Sequence, residues 1–271
     1  MGKGRDGRAA ARAGLRRLGI DSHVLVTKNP NPMRTTASRV SRFTWRVLRR
    51  LGVGEPLRFG SLRRVTPISR SFGLDRGWPI DRYYIEAFLE RHENDIRGRV
   101  LEAGGLVSYT KKYGSDRVSQ ADVLYPKDGF PDATVVGNLE SGVGIPRDAF
   151  DCIILTQVFP FIYGLEAAVR NTCAALRPGG VLLATLPGIS QICRYDQEQW
   201  GDYWRFTTSS ARRLFGEVFG PANAQVESYG NVLVACAFLH GLAIQDLTQS
   251  ELDHRDPDFQ FSIVVRAVRT S

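Results

Sequence analysis

The sequence is poor in side chains that hold metals. Its four histidines, His23, His92, His240 and His254, are scattered, with no H-x-H or H-E-x-x-H pair, so a metal-centred chemistry is not expected. The four cysteines, Cys152, Cys173, Cys193 and Cys236, form no C-x-x-C. That spacing argues against a structural zinc site and fits free thiols in a reducing cytoplasm. Long apolar runs are also missing: the longest, Val232 to Leu239, falls far short of the ~18–20 residues that cross a bilayer. No charged-then-apolar leader points to secretion. A cytoplasmic chain of 271 residues is long enough for one large domain with an appended segment.

Acidic residues are scarce at one end only. Residues 1–76 hold 18 Lys+Arg against 4 Asp+Glu, a charge of +14, and the remainder holds 18 against 24, a charge of −6. The chain therefore reads as a basic extension over 1–78 and a mildly acidic domain over 79–271. Within the extension, G-R-A-A-A-R-A-G-L-R-R-L and S-R-F-T-W-R-V-L-R-R-L are each patterned for a short basic helix. The second carries Phe43, Val47, Leu48 and Leu51 on one stripe, and K-N-P-N-P-M separates the two. Aromatics are too few for a base-stacking platform, so nucleic acid is not the expected partner. The stripe is expected to pack on the body, as a lid, or on a second subunit, giving a homo-oligomer. An RNA-binding arm and a transit peptide are the alternatives that composition leaves open.

From Pro79 the pattern changes to alternating strands and helices. Asp81 is placed to cap a helix over 82–94. Strands are expected at 100–102, 117–124, 133–139, 150–157 and 180–186, with a helix over 165–176 closed by R-P-G-G. A capped helix after Thr207 or Thr208, a strand at 224–228, a capping box T-Q-S-E at 248–251 and an alternating strand at 259–268 complete the chain. The expected fold is α/β: a doubly wound, Rossmann-like sheet of about seven strands, the last antiparallel, with a helical N-terminal extension.

Glycine is missing where a phosphate loop would need it. After the strand V-L-E, a dinucleotide turn requires glycines at 104, 106 and 109, and the chain has Gly104, Leu106 and Tyr109. No G-K-[ST] follows, so a P-loop is excluded too. The turn suits a nucleoside without phosphates, whose ribose hydroxyls need a carboxylate. Asp122, followed by Val123, lies at the spacing expected for that group.

V-L-E-A-G-G, F-D-C-I-I-L-T-Q and A-L-R-P-G-G-V-L-L-A-T-L-P-G together resemble the class I S-adenosylmethionine-dependent methyltransferases over roughly 79–269. P-I-D-R-Y-Y-I-E, W-G-D-Y-W-R-F-T and F-L-H-G-L-A are similar to a bacterial subgroup associated with sugar and natural-product modification. The resemblance implies S-adenosylmethionine as cofactor and S-adenosylhomocysteine as product. It places the cofactor on Glu102, Gly104, Gly105, Asp122 and Val123. Asn138 would accept from the adenine amino group, Leu139 would pack on the purine, and Thr156 and Gln157 would face the methionine end. The pattern [DE]-x-G-x-G-x-G is broken at Leu106 and Ser108. Tyr83 or Tyr84, on the helix before the first strand, would meet the cofactor carboxylate.

For the acceptor, the sixteen residues Q-I-C-R-Y-D-Q-E-Q-W-G-D-Y-W-R-F combine aromatic and acidic groups at the sheet edge where open α/β folds bind ligands. Trp200, Tyr203 and Trp204 suit a sugar ring, Asp196 and Glu198 its hydroxyl or amino groups, with Tyr163 and Arg205 alongside. His240 and Asp202 are the candidate bases, each balanced by a structural role: a packed helix end for His240, a salt bridge to Arg205 for Asp202. The expected activity is metal-independent methyl transfer to a hydroxyl or amino group of a sugar-containing small molecule, such as an antibiotic, aminoglycoside or glycan precursor. An RNA methyltransferase and a non-catalytic scaffold of the same fold are the competing readings.

Overall fold

The structure, a computed structural model, describes residues 60–270 apart from Leu106. The basic helices expected near 7–18 and 41–51 lie outside the described residues. The chain divides after Arg63 into two compact units, and the second, Arg64–Ser271, is the body described below. Residues 68–78 are already tied into that body. The Ile68 and Ser69 amides donate to the His240 carbonyl, and Arg76 pairs with Asp246.

Seven strands form one sheet: β1 Gly98–Ala103, β2 Val118–Tyr125, β3 Val135–Val136, β4 Phe150–Thr156, β5 Leu176–Pro187, β6 Ala224–Tyr229 and β7 Ser262–Val268. Their spatial order is β3-β2-β1-β4-β5-β7-β6. All neighbours are parallel except that β7 runs antiparallel to both β5 and β6. The central strands are buried on both faces, which is why F-D-C-I-I-L-T and V-L-L-A-T-L read as near-continuous apolar runs.

The period-2 alternation sorts these residues into two cores. Leu101, Ile153, Leu155 and Leu182 face helices α3 (Leu165–Ala175) and α5 (Thr208–Phe219), where Val169 and Phe215 complete the packing. Val100, Cys152, Ile154 and Leu183 face the other way, toward Ile85, Phe88 and Leu89 of α1 (Ile80–Arg91) and Tyr109 of α2 (Tyr109–Gly114). Three shorter helices follow the sheet edge: α4 Arg194–Gln199, α6 Val232–Leu239 and α7 Gln249–Asp253.

The caps act as the sequence indicates. Thr207 and Ser210 bond reciprocally at the start of α5, and at α7 the Thr248 amide donates to the Glu251 carboxylate at 2.8 Å. Past α3, Gly179 takes φ +80°, a conformation nearly reserved for glycine. Two expectations are corrected. Helix α1 begins at Ile80 behind Pro79, so Asp81 sits inside the first turn rather than capping it. Proline at the cap position fixes the backbone entry that Asp81 was expected to provide. The third strand is only two residues long, because the Asn138 side chain accepts from the amides of Glu140 and Ser141 and bends the chain away. Between β2 and β3, residues 126–134 form a loop with no helix. A helical crossover usually joins such parallel neighbours.

Candidate functional site

Strand order reverses between β1 and β4, the place where an open α/β sheet leaves a crevice at its carboxyl ends. A cavity of about 960 Å³ opens there. Its floor is the turn after β1, the ends of β4 and β5, and the loop from Gly137 to Glu140. One wall is Tyr125 with Phe130, and the far wall is the segment from Ile189 to Arg205.

The turn after β1 is built around Glu102. Its carboxylate accepts from the Tyr109 amide at 2.7 Å, the Thr110 amide at 3.0 Å and the Ser108 hydroxyl at 3.2 Å. Those amides open α2, the position where a nucleotide phosphate would otherwise bind. The chain's own carboxylate fills it. At Gly104 an added Cβ would come within 3.1 Å of Phe130 and 3.3 Å of Tyr125, so glycine lets the aromatic pair close on the turn. Tyr125 and Phe130 stack at 4.4 Å and 9°, presenting a flat apolar wall. Trp200 meets Tyr125 edge-on at 5.8 Å, with the Lys127 ammonium 4.3 Å from its ring centre.

Of the residues expected at the cofactor, Glu102, Gly104, Gly105, Asn138, Leu139, Thr156 and Gln157 line the cavity. Gln157 takes φ +56° at the end of β4, uncommon for a residue with a side chain. Asp122, Val123, Tyr83 and Tyr84 do not line the cavity. Asp122 pairs with Leu101 in mid-strand, and its buried carboxylate is bound by Arg99 at 2.7 Å and by Thr134 and Gln120. The spacing from Glu102 was right for the strand, but β2 runs three residues further and ends at Tyr125. The Tyr84 hydroxyl donates to the Leu252 carbonyl, and Tyr83 bonds Asp253 and Gln249. The helical twist of α1 turns those tyrosines toward α7 and brings Asp81 and Arg82 to the cavity instead. Asn138 lies at the cavity, but its amide oxygen already accepts from two backbone amides, so it is not free for an adenine amino group.

On the acceptor side, Asp196, Trp200, Asp202 and Arg205 line the cavity, whereas Tyr163, Glu198, Tyr203 and Trp204 do not. Tyr163, Tyr203 and Trp204 cluster separately, with Tyr163 5.4 Å from Tyr203 and 5.9 Å from Trp204. The Trp204 indole donates to the Ile162 carbonyl and packs on the core. Asp202 is held by Arg205 and the Cys193 amide. His240 is not at the cavity: its carbonyl anchors Ile68 and Ser69, and its Nδ1 is buried without a partner. Asp196 makes no ion pair among the described residues. The neighbouring Cys193 thiol is pushed up to about 11 by burial and by its hydrogen bond to Asp196.

Among the cavity residues that sequence reasoning missed are Asp81, Tyr109, Tyr125 and Phe130, and Arg82 of the same helix lines the cavity too. Arg82 Nη1 donates to the Tyr109 hydroxyl at 2.6 Å. Burial raises the pKa of Asp81 in spite of the adjacent Arg82. Burial also opposes ionisation of Asp122, but hydrogen bonds from Arg99 and Thr134 leave its pKa lowered. Its contribution to stability is therefore complete above the unfolded-state value near 4 and is lost as pH falls through the lower folded value. Asp122→Asn is expected to reduce that acid-dependent stability while leaving the melting temperature at pH 3 nearly unchanged. Thermal melts from pH 3 to 6 check it.

The sequence matches no protein-family model and no curated protein. Among solved structures, the chain is similar to the N-methyltransferase NodS from Bradyrhizobium japonicum WM9 in complex with S-adenosyl-L-homocysteine. The identity is 12%, the TM-score 0.46, with 78% of this chain and 97% of that one covered. A SAM-dependent methyltransferase from Archaeoglobus fulgidus is similar at 11% identity and TM-score 0.44, covering 69% and 94%. The [4+2]-cyclase SpnF is similar at 14% and 0.44, covering 69% and 81%. Likenesses this remote assign no activity.

Proposed function

We propose that this protein is an S-adenosylmethionine-dependent methyltransferase whose acceptor is a hydroxyl or amino group of a sugar-containing small molecule. The observation that carries this reading is the helix start filled by Glu102 beside a cavity of about 960 Å³. With those amides taken by Glu102, the turn suits a nucleoside without phosphate, and the volume lies at the upper end for small-molecule sites, leaving room for a second molecule.

The cavity residues fit that group. Tyr125, Phe130 and Leu139 offer apolar surface to a purine, the backbone from Glu102 to Gly105 lies along the ribose side, and Thr156 and Gln157 border the reacting end. When bound, the cofactor supplies a methyl group activated by a positive sulfur. The protein's task is alignment and exclusion of water. The wall from Ile189 to Arg205, held by the Asp202–Arg205 pair, performs the second. Trp200 and Asp196 provide a flat apolar face with a carboxylate beside it, a combination suited to a sugar ring bearing a hydroxyl or amino group.

A scaffold reading is favoured by one observation: β2 ends in Tyr125, and Asp122 turns away from the cavity. Titration calorimetry separates the two. Heat on adding S-adenosylhomocysteine, followed by methyl transfer in a screen of sugars, aminoglycosides and RNA, supports the enzyme. No heat at millimolar ligand supports the scaffold, and transfer to RNA alone removes the small-molecule acceptor.

A further inference from the structure

The aromatic cluster outside the cavity is continuous with its wall. Ile162 and Asp202 line the cavity, and Tyr163 and Tyr203 are the residues that follow them. The two phenol rings meet edge to face at 5.4 Å, and the Trp204 ring lies 5.9 Å from that of Tyr163. The cavity wall holds them in place. The Tyr203 amide donates to the Pro160 carbonyl at 2.9 Å, and the Trp204 indole to the Ile162 carbonyl at 3.0 Å. Gly201 takes φ +89°, and a Cβ there would collide with the Tyr203 ring. Through Gly201 the aromatic surface runs from Trp200, which lines the cavity, to Tyr203 and Tyr163 outside it.

These rings are fixed, yet they face water. Tyr163 is 66% exposed and Tyr203 49%, and neither hydroxyl has a hydrogen-bond partner among the described residues. At ~150–250 Å² per aromatic side chain, the two exposed faces together offer roughly 200–300 Å². A stable protein interface needs about 800 Å² from each partner, so the area suits a ligand the size of one ring. A pyranose has a C–H face with hydroxyls around its edge. It matches phenol rings that combine an apolar face with a polar tip.

We propose that Tyr163 and Tyr203 form a second sugar subsite at the cavity mouth, stacking on the acceptor ring next to the one that enters beside Trp200. This rests on the methyltransferase reading and deepens it: the acceptor is a glycoside or oligosaccharide of at least two rings rather than a free monosaccharide. Trp204 is the positioning residue, packed behind the pair and tied to Ile162.

The test is calorimetry on the full chain with two pairs of probes, each pair differing by one ring. The pairs are methyl β-glucoside with methyl β-cellobioside, and 2-deoxystreptamine with neamine. In at least one pair the second ring is expected to tighten binding to the parent protein by about tenfold, the scale of one aromatic stacking contact. The double variant Tyr163→Ala, Tyr203→Ala should lose that gain and bind the one-ring probe within about twofold of the parent. Tyr163→Phe with Tyr203→Phe keeps the rings and should retain most of the gain. Should the alanine variant fail to fold, saturation-transfer NMR on the parent decides: the second ring should receive magnetisation from irradiated aromatic protons, and its silence overturns the inference. A second ring that adds nothing in either pair also overturns it, as does a gain that survives in the alanine variant. A changed oligomeric state with sugar binding untouched would assign the tyrosines to a protein partner instead. S-adenosylhomocysteine is titrated separately: its failure to bind removes the methyltransferase reading, whereas loss of the ring gain removes only the subsite.

Discussion

Glu102→Ala is expected to lower the melting temperature by about 6–12 °C and to abolish binding of S-adenosylhomocysteine. Three donors converge on this carboxylate, and two of them are backbone amides of the buried residues Tyr109 and Thr110. Alanine strands both amides, at about 1–3 kcal/mol each for buried donors, and removes a negative charge from a helix start. A total of about 3 kcal/mol converts to that temperature shift at ~2–4 °C per kcal/mol for a domain of this size. Glu102→Gln keeps an acceptor oxygen in the same place without the charge and should cost about half as much. Thermal melts of the two variants separate hydrogen bonding from charge, and calorimetry reads the binding. Equal melting temperatures for parent and alanine variant would show that the turn is held by something other than Glu102.

The second large effect is expected at Arg205. Its guanidinium bonds both oxygens of Asp202 and the carbonyls of Gln191 at 2.7 Å and Trp204 at 2.8 Å, gathering the whole far wall of the cavity. The Asp202 side chain is only 2% exposed, so Arg205→Ala leaves a buried carboxylate facing a single amide, that of Cys193. Breaking a buried pair from one side costs about 3–5 kcal/mol. Arg205 retains some exposure, which places the loss at the lower end, about 3 kcal/mol. Arg205→Lys is not a conservative change, because a point charge cannot span four acceptors. The double variant Asp202→Ala, Arg205→Ala should recover about 1–2 kcal/mol relative to the sum of the single losses, since no carboxylate is then left behind. Denaturant melts of the three variants and the parent close this cycle. Additive losses would mean that the wall is held by packing alone.

Most of the fold could be read from periodicity. Continuous apolar runs at Phe150–Thr156 and Val181–Leu186 indicate doubly covered parallel strands, and Pro178 with Gly179 marks the exit from α3. Capping pairs at Thr207 and Thr248 locate helix starts. What failed depended on direction rather than on element type. Asp122 was identified in the correct strand, but alternation and the true end of β2 turn its side chain toward Arg99. Tyr83 and Tyr84 were placed on the correct helix, yet the helical twist brings Asp81 and Arg82 to the cavity. No local pattern states which face of α1 the sheet leaves uncovered; that follows from packing against Leu252 and Phe261. The apolar wall at Tyr125 and Phe130 depends on a loop replacing the usual crossover helix. Its only sequence signal is the short P-K-D-G-F-P-D stretch between two strands.

That loop also determines how the sheet terminates. Because residues 126–134 leave little room before the Asn138 bend, β3 offers only Val135 and Val136 at the outer edge, and Val136 is 41% exposed. A margin of two residues is a poor template for a foreign strand, whereas a long flat margin invites stacking into fibres. Replacing the Asn138 bend with strand-forming residues would lengthen that margin and trade colloidal resistance for regularity.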